Sequence, residues 1–262
     1  MKLKMYQVDA FADKLFSGNP AAVVILESTL KDEDMQSIAA ENNLSETAFV
    51  SIHESPLSIR WFTPSIEVDL CGHATLASAR ILFDYYSDLA GEEINFNSKS
   101  GVLKITKVED GLCLNFPSDL PVTIKTDPLF LEILGIEPLM LLRGKDDYLA
   151  VFENQKQIKN MQPNFSLLKK LDARGLVISA PGDEVDFVSR CFYPEAGIEE
   201  DPVTGSAHTM LTPYWASQLS KDELEAHQLS KRGGKLICRL ENDRVYISGS
   251  SVIYFEGTIS IV

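Results

Sequence analysis

Arg60-Trp61-Phe62-Thr63-Pro64 is written a second time, with changes, as Arg190-Cys191-Phe192-Tyr193-Pro194. Each copy runs on through acidic residues, Glu67 and Asp69 in the first, Glu199, Glu200 and Asp201 in the second, to a glycine that opens an apolar stretch. The first stretch is Gly72-His73-Ala74-Thr75-Leu76-Ala77-Ser78-Ala79 and the second Gly205-Ser206-Ala207-His208-Thr209-Met210-Leu211-Thr212. A short echo alone carries little weight. The full order of strand, proline, acid, glycine and apolar helix, given twice, points to a duplicated half-domain.

The two apolar stretches also say where their helices lie. Arg80 is the single charge between His73 and Phe83, and none occurs from Ser206 to Leu219. A surface helix needs a charged face, so helices apolar almost all round are buried. Each half therefore reads as a sheet wrapped around one central helix, with Pro213 expected to kink or tighten the second. Outward from there, Val23 to Leu26 is a short buried strand and Thr47 to Ile52 the next. Between them Thr29-Leu30-Lys31-Asp32 resembles a capping box that opens a helix with Met35, Ile38 and Ala39 on one face. Leu236 to Leu240, Val245 to Ser248 and Ser251 to Phe255 form a meander punctuated by Asn242-Asp243 and Gly249. Pro121, near the midpoint, sets the expected crossing. The N-terminal half-domain is then residues 1–119 and the C-terminal one 120–262, with the last strand able to pack back on the first half.

Composition bounds the function. With 262 residues, 45% apolar and 24% charged, the chain can bury a full core. Its formal net charge of −14 argues against a protein that tracks nucleic acid or an anionic membrane, since those surfaces need clustered Lys and Arg. Cys71, Cys113, Cys191 and Cys238 stand apart with no C-x-x-C pair, which fits thiols in a reducing, cytoplasmic setting. Met1 to Ala10 reads as a strand rather than a signal peptide. No stretch approaches the roughly 18 apolar residues of a membrane span.

Several chemical templates are missing: there is no G-x-G-x-x-G, Walker loop, H-E-x-x-H or G-x-S-x-G. Four histidines, none at metal-ligand spacing, give no expectation of a catalytic zinc site. What remains are polar residues ahead of the two buried helices, Asp69 to His73 and Asp201 to Ser206. A helix start presents unpaired N–H groups and about half a unit of positive charge, a setting for carboxylates and enolates. The plainer alternative is that these Asp, Ser and Thr residues are N-caps. Glu46 lies where a helix ends and an apolar strand begins. Apolar neighbours raise a carboxyl pKa towards the range useful for acid–base work, although a solvent-facing strand residue is the plainer reading. His73 is either a helix-start residue or a proton donor, and His208 is expected in the core. Cys71 is either a reactive helix-start thiol or simply buried.

Ser17-Gly18-Asn19-Pro20-Ala21-Ala22-Val23-Val24, Leu44-Ser45-Glu46-Thr47-Ala48-Phe49 and Asp69-Leu70-Cys71-Gly72-His73-Ala74-Thr75 resemble the N-terminal signatures of the phenazine-biosynthesis PhzF-like isomerases. Glu200-Asp201-Pro202-Val203-Thr204-Gly205-Ser206-Ala207-His208 and Lys231-Arg232-Gly233-Gly234 resemble the C-terminal ones, in family order. The resemblance implies an α+β, diaminopimelate-epimerase-like fold of two pseudo-symmetric halves, usually as a homodimer. It also implies a cofactor-free reaction in a cleft between the halves, on a small carboxylate-bearing substrate. In the best-understood member a glutamate shuttles a proton between two carbons of dihydro-hydroxyanthranilate. Glu46 holds that motif position, with His73 and Asp201 relaying or stabilising protons. Ser45, Gly72, Gly205 and Ser206 resemble the substrate contacts. No metal is implied.

Two other readings compete. A two-thiol epimerase or racemase of similar fold needs a cysteine from each half. Cys71 could be one, but Asp201-Pro202-Val203-Thr204-Gly205 has no thiol. A non-catalytic small-molecule binder on the same fold is the other, and the retained Glu46 counts against it.

Overall fold

Both copies of the repeated motif are strands in a computed structural model, which describes residues 1–261. Contacts divide the chain into two units, Met1–Asn115 together with the chain from Ser248 on, and Phe116–Ile247.

In the first unit the order is β1 (Lys2–Ala10), β2 (Asn19–Leu26), α1 (Asp32–Asn42), β3 (Glu46–Ser51), β4 (Ser58–Phe62) and β5 (Glu67–Val68). There follow α2 (Gly72–Tyr85), α3 (Ser87–Ala90), β6 (Glu93–Ser98), β7 (Gly101–Val108) and β8 (Gly111–Pro117). β1 and β2 are antiparallel, β2 and β3 parallel across α1, and β3 and β4 antiparallel. β4 then pairs antiparallel with β5 and parallel with β6, which pairs antiparallel with β7.

The second unit begins β9 (Val122–Ile124), α4 (Pro128–Leu134), β10 (Met140–Arg143), β11 (Asp147–Val151), α5 (Gln155–Asn160), α6 (Phe165–Leu168) and β12 (Gly175–Pro181). It continues β13 (Phe187–Tyr193), β14 (Ile198–Asp201), α7 (Gly205–Leu219), β15 (Glu223–Gln228) and β16 (Gly234–Glu241). β17 (Arg244–Gly249) and β18 (Ser251–Ser260) close the chain, β18 lying antiparallel to β1. The pairings of the first unit recur strand for strand. β10 and β11 are antiparallel, β11 and β12 parallel, and β12 and β13 antiparallel. β13 takes β14 antiparallel and β15 parallel, and β15 takes β16 antiparallel.

The duplication extends to side chains. Arg60 on β4 forks onto Glu67 at 2.7 and 2.9 Å, and Arg190 on β13 forks onto Glu200 at 2.6 and 3.0 Å. Each guanidinium also lies 5.1 Å from the centroid of the phenylalanine two residues on, Phe62 or Phe192. Arginine's planar fork suits both a carboxylate and an aromatic face.

Burial explains the near-continuous apolar strands. β2 is buried along most of its length because the sheet is covered on both faces. Leu3, Val24, Leu26, Phe49 and Phe62 pack with Met35, Ile38 and Ala39 of α1 on one side. α2, buried from Gly72 to Ala79 and again from Ile81 to Phe83, packs against β1, β2 and β3. In the second unit α4 and α5 contribute Phe130, Ile133, Leu134 and Ile158 to a core with Leu176, Ile178, Val188 and Phe192, while α7 meets β15 and β16.

Two local expectations change. The helix after β2 starts on Lys31 with no side-chain cap, so Thr29 is not its N-cap. Asp32, Glu33 and Asp34 in its first turn supply the negative charge that a helix N-terminus favours. α7 runs unbroken through Pro213. Proline leaves the carbonyl four residues back without its helical donor, and Thr209 O instead accepts from Asp119 N at 3.0 Å. No helix among the described residues is long and apolar enough to cross a membrane.

Candidate active site

The chain leaves α1 through Asn43, which adopts the left-handed conformation at φ 50° and caps the helix through its N–H to Ala39 O. Asparagine tolerates this geometry better than most residues. The chain bends through Leu44 and Ser45, and Glu46 opens β3 in register with Ala21 of β2. Its side chain is 15% exposed. Ser45, the residue before it, is half-buried.

His73, second residue of α2, meets Glu46 there: Nε2 lies 3.3 Å from Oε2, though outside hydrogen-bond alignment. Its Nδ1 is 3.1 Å from Nδ2 of Asn19, the fully buried first residue of β2, and 3.5 Å from Cys71 Sγ. With Asn19 donating to Nδ1 the ring carries its proton on Nε2, facing the carboxyl. Burial pushes the His73 pKa down to about 3, so this is a neutral imidazole beside a carboxyl group rather than an ion pair. Gly72 begins α2 behind an uncapped residue, Cys71, whose side chain makes no cap bond. The N-cap reading of these residues therefore fails for α2.

The corresponding turn in the second unit is built differently. Asp201 ends β14 and is nearly buried. Thr204 precedes α7 but does not cap it, because its hydroxyl donates to Asp201 Oδ2 at 2.5 Å. Gln228, fully buried on β15, accepts from Thr204 N at 2.9 Å and donates to Asp201 O at 2.7 Å. Ser230 Oγ donates to Pro202 O at 2.7 Å and accepts from Gly233 N at 3.0 Å. The Lys231-Arg232-Gly233-Gly234 segment thus staples the Asp201–Gly205 turn, with Gly233 at φ +66° supplying a turn that other residues resist.

Ser206 Oγ accepts from Arg174 Nη2 at 3.2 Å. Arg174 also forks onto buried Asp147 and stacks over Tyr193 at 5.1 Å. A polar cleft of about 530 Å³ opens beside Arg174, lined also by Arg143, Lys145, Lys169, Asp146, Asp172 and Glu195. Its cations are matched by those acids and Asp147, so it offers no net field for an anion. His208 is a core residue as expected: Nδ1 donates to Thr204 O at 2.8 Å, and burial lowers its pKa to about 4. Asn19, Asp147, Arg174 and Gln228 carry no chemical signal of their own in the sequence. Asn19 could have been found from its place inside the Ser17–Val24 signature, whereas the other three become visible only through their contacts.

The register of the repeat identifies equivalent residues. Phe62 pairs with Thr47, and Phe192 with Leu176, so Glu46 in β3 corresponds to Gly175 in β12. Cys71 corresponds to Thr204, each preceding its helix glycine. The carboxyl and the thiol thus have no counterparts in the second unit.

An α+β fold with a sheet around one central helix in each unit is that of the diaminopimelate-epimerase-like proteins. A hydroxyproline epimerase of Agrobacterium vitis shares it at TM-score 0.65 and 9% identity, over 98% of this chain and 92% of that one. Within that class the chain belongs to the family described as phenazine biosynthesis-like protein, whose sequence profile matches residues 8–257. A PhzF-family protein of Enterococcus faecalis is similar in structure at TM-score 0.96 and 46% identity, covering all of both chains. An uncharacterized isomerase of Pseudomonas aeruginosa is 47% identical over the whole of both chains. A mouse phenazine biosynthesis-like domain-containing protein is 41% identical over 99% of this chain and 100% of its own.

Proposed function

We propose that the protein is an isomerase that moves a proton between two carbons of a small carboxylate-bearing molecule, with Glu46 as the acid–base group and no cofactor. The observation that carries this reading is the chain Asn19–His73–Glu46, at 3.1 and 3.3 Å, beside the uncapped start of α2. Glu46 as carboxylate takes a proton from one carbon, and the electron pair delocalises into the substrate's π system. Glu46, open enough to trade its proton with solvent in a share of turnovers, then gives a proton to a second carbon, which restores the enzyme. His73, neutral and held by Asn19, donates towards the carboxylate when Glu46 has lost its proton. N–H groups at the start of α2, including that of Gly72, face where negative charge develops, an arrangement that is most effective in a dry site. The family relation extends the same roles to Ser45 as a substrate contact, Asp201 as a second proton-handling group, and Gly205 and Ser206 as carboxylate contacts. It also supports a homodimer.

The two-thiol alternative is weakened by Thr204 standing where Cys71 stands in the first unit. The decisive measurement is enzyme-dependent deuterium uptake at carbon across a panel of cyclic and amino-acid carboxylates. Glu46→Gln is expected to retain ligand affinity while exchange falls by ~10²–10⁴-fold. Exchange at the wild-type rate in Glu46→Gln would remove Glu46 from the mechanism. Tight ligand binding with no exchange in the wild type would favour the binding-protein reading instead.

A further inference from the structure

We infer that Glu46, Cys71 and His73 together form a binding site for one thiophilic divalent cation of the zinc class, and that filling it stops proton transfer. The second half of that statement rests on the proposed function; the first does not.

One ligand atom from each of the three residues lies within 4.8 Å of the other two. The donor set is a sulfur, an imidazole nitrogen and a carboxyl oxygen, the mixture zinc accepts in tetrahedral sites. With zinc bonds of about 2.0–2.2 Å to nitrogen and oxygen, tetrahedral geometry separates those ligands by roughly 3.3 Å. His73 Nε2 and Glu46 Oε2 are already 3.3 Å apart. Nε2 is also buried and makes no hydrogen bond among the described residues. Cys71 Sγ sits 3.5 Å from the other ring nitrogen. Of the three ligand pairs one already stands at bonding separation, and the other two, within 4.8 Å, close by up to roughly 1 Å to reach it. Binding through Nε2 moves the ring proton to Nδ1, where the Asn19 amide, turned to present its oxygen, accepts it and fixes the ring as the outer hydrogen bond does in histidine metal sites.

The remaining requirements are an entry path and an open position. Glu46, 15% exposed at its side chain, is the open side of the trio, whereas Cys71 and His73 are 6% and 4% exposed. Three protein ligands leave the fourth coordination position to water or a carboxylate. A site with one carboxyl oxygen donor discriminates against magnesium and calcium, which need six or more oxygens. On binding, the Cys71 thiol releases its proton to solvent and no redox change occurs. Glu46, once ligated, can no longer take a proton, and His73 no longer presents one to it, which is why turnover ends.

The test uses the full chain, stripped with a chelator and titrated with cobalt(II) as the spectroscopic probe. One equivalent is expected to produce a thiolate-to-cobalt charge-transfer band, which zinc displaces and magnesium leaves intact. Cys71→Ser is expected to lose the band. Glu46→Gln, at a part-exposed position where folding is safe, is expected to keep it while binding weakens by ~10–100-fold. A cobalt complex with no thiolate band, or wild-type affinity in both variants, overturns the site. Zinc is then added to the deuterium-exchange assay. Exchange that survives saturating zinc overturns the inhibition, while a wild-type chain that never exchanges defeats the proposed function and leaves the site to be judged on the cobalt spectrum.

Discussion

His73 and His208 are second and fourth in their helices, yet their surroundings give them different work. His208 spends Nδ1 on the backbone of Thr204 and is walled in beside Phe187, with ring centroids 5.9 Å apart. His73 has a side-chain amide on one nitrogen and a carboxyl facing the other. Burial holds both neutral, at about 3 and about 4, whereas an unfolded histidine takes a proton near pH 6.5. Below 6.5 the unfolded chain therefore binds more protons than the folded chain, and stability must fall as pH falls. Urea unfolding between pH 6.5 and 5, above the carboxylate range, is expected to show a loss of roughly 1 kcal/mol per pH unit for each histidine. A flat profile over that window would mean that both rings protonate in the folded state, and half the slope that one of them does. Position along the helix pointed His208 to the core, but the work of His73 could not be read from the bare sequence, because it depends on Asn19 and Glu46, which come from other elements.

At the level of elements, the paired arginine forks offer a comparison within one molecule. Arg190 is 13% exposed at its side chain and, besides Glu200, donates to Ile158 O and Met161 O at the end of α5. Arg60 is 32% exposed, and its additional partner is the surface carboxylate of Asp32. Lysine cannot fork and reach backbone carbonyls at once. Arg190→Lys is thus expected to cost about 2 kcal/mol, from buried carbonyls left short of donors, and Arg60→Lys less than about 1 kcal/mol. Equal effects in urea unfolding would show that the α5 carbonyls find other donors. The two central helices were legible in advance from their lack of charge, and the strands around them from apolar runs. The start of α1 was not, because the apparent capping box competes with an acidic first turn that serves the same end. Nor was the continuity of α7 through Pro213, which depends on a donor from Asp119, remote in sequence.

For the whole molecule, the duplicated order of elements was visible because each copy repeats the same strand, turn and helix types. The candidate groups were harder to read. Glu46 could be singled out only by its family signature, since apolar neighbours in sequence do not reveal a histidine facing it. Gln228 and Arg174 act through long-range hydrogen bonds that no local pattern encodes. Repetition of the fold therefore says little about repetition of the chemistry: the register that equates Glu46 with Gly175 also shows that one copy has no carboxyl at that position. This has a stereochemical consequence. An enzyme with matched acids on opposite sides of a carbon inverts it and exchanges its hydrogen with solvent at each pass. When Glu46 itself both lifts and returns the proton, it must work on one face of the substrate and can carry the same hydrogen from origin to destination. Deuterium placed at the donor carbon is accordingly expected to reappear at the acceptor carbon, on the same face, in the first turnovers. Complete replacement by solvent hydrogen with inversion would instead require a second base.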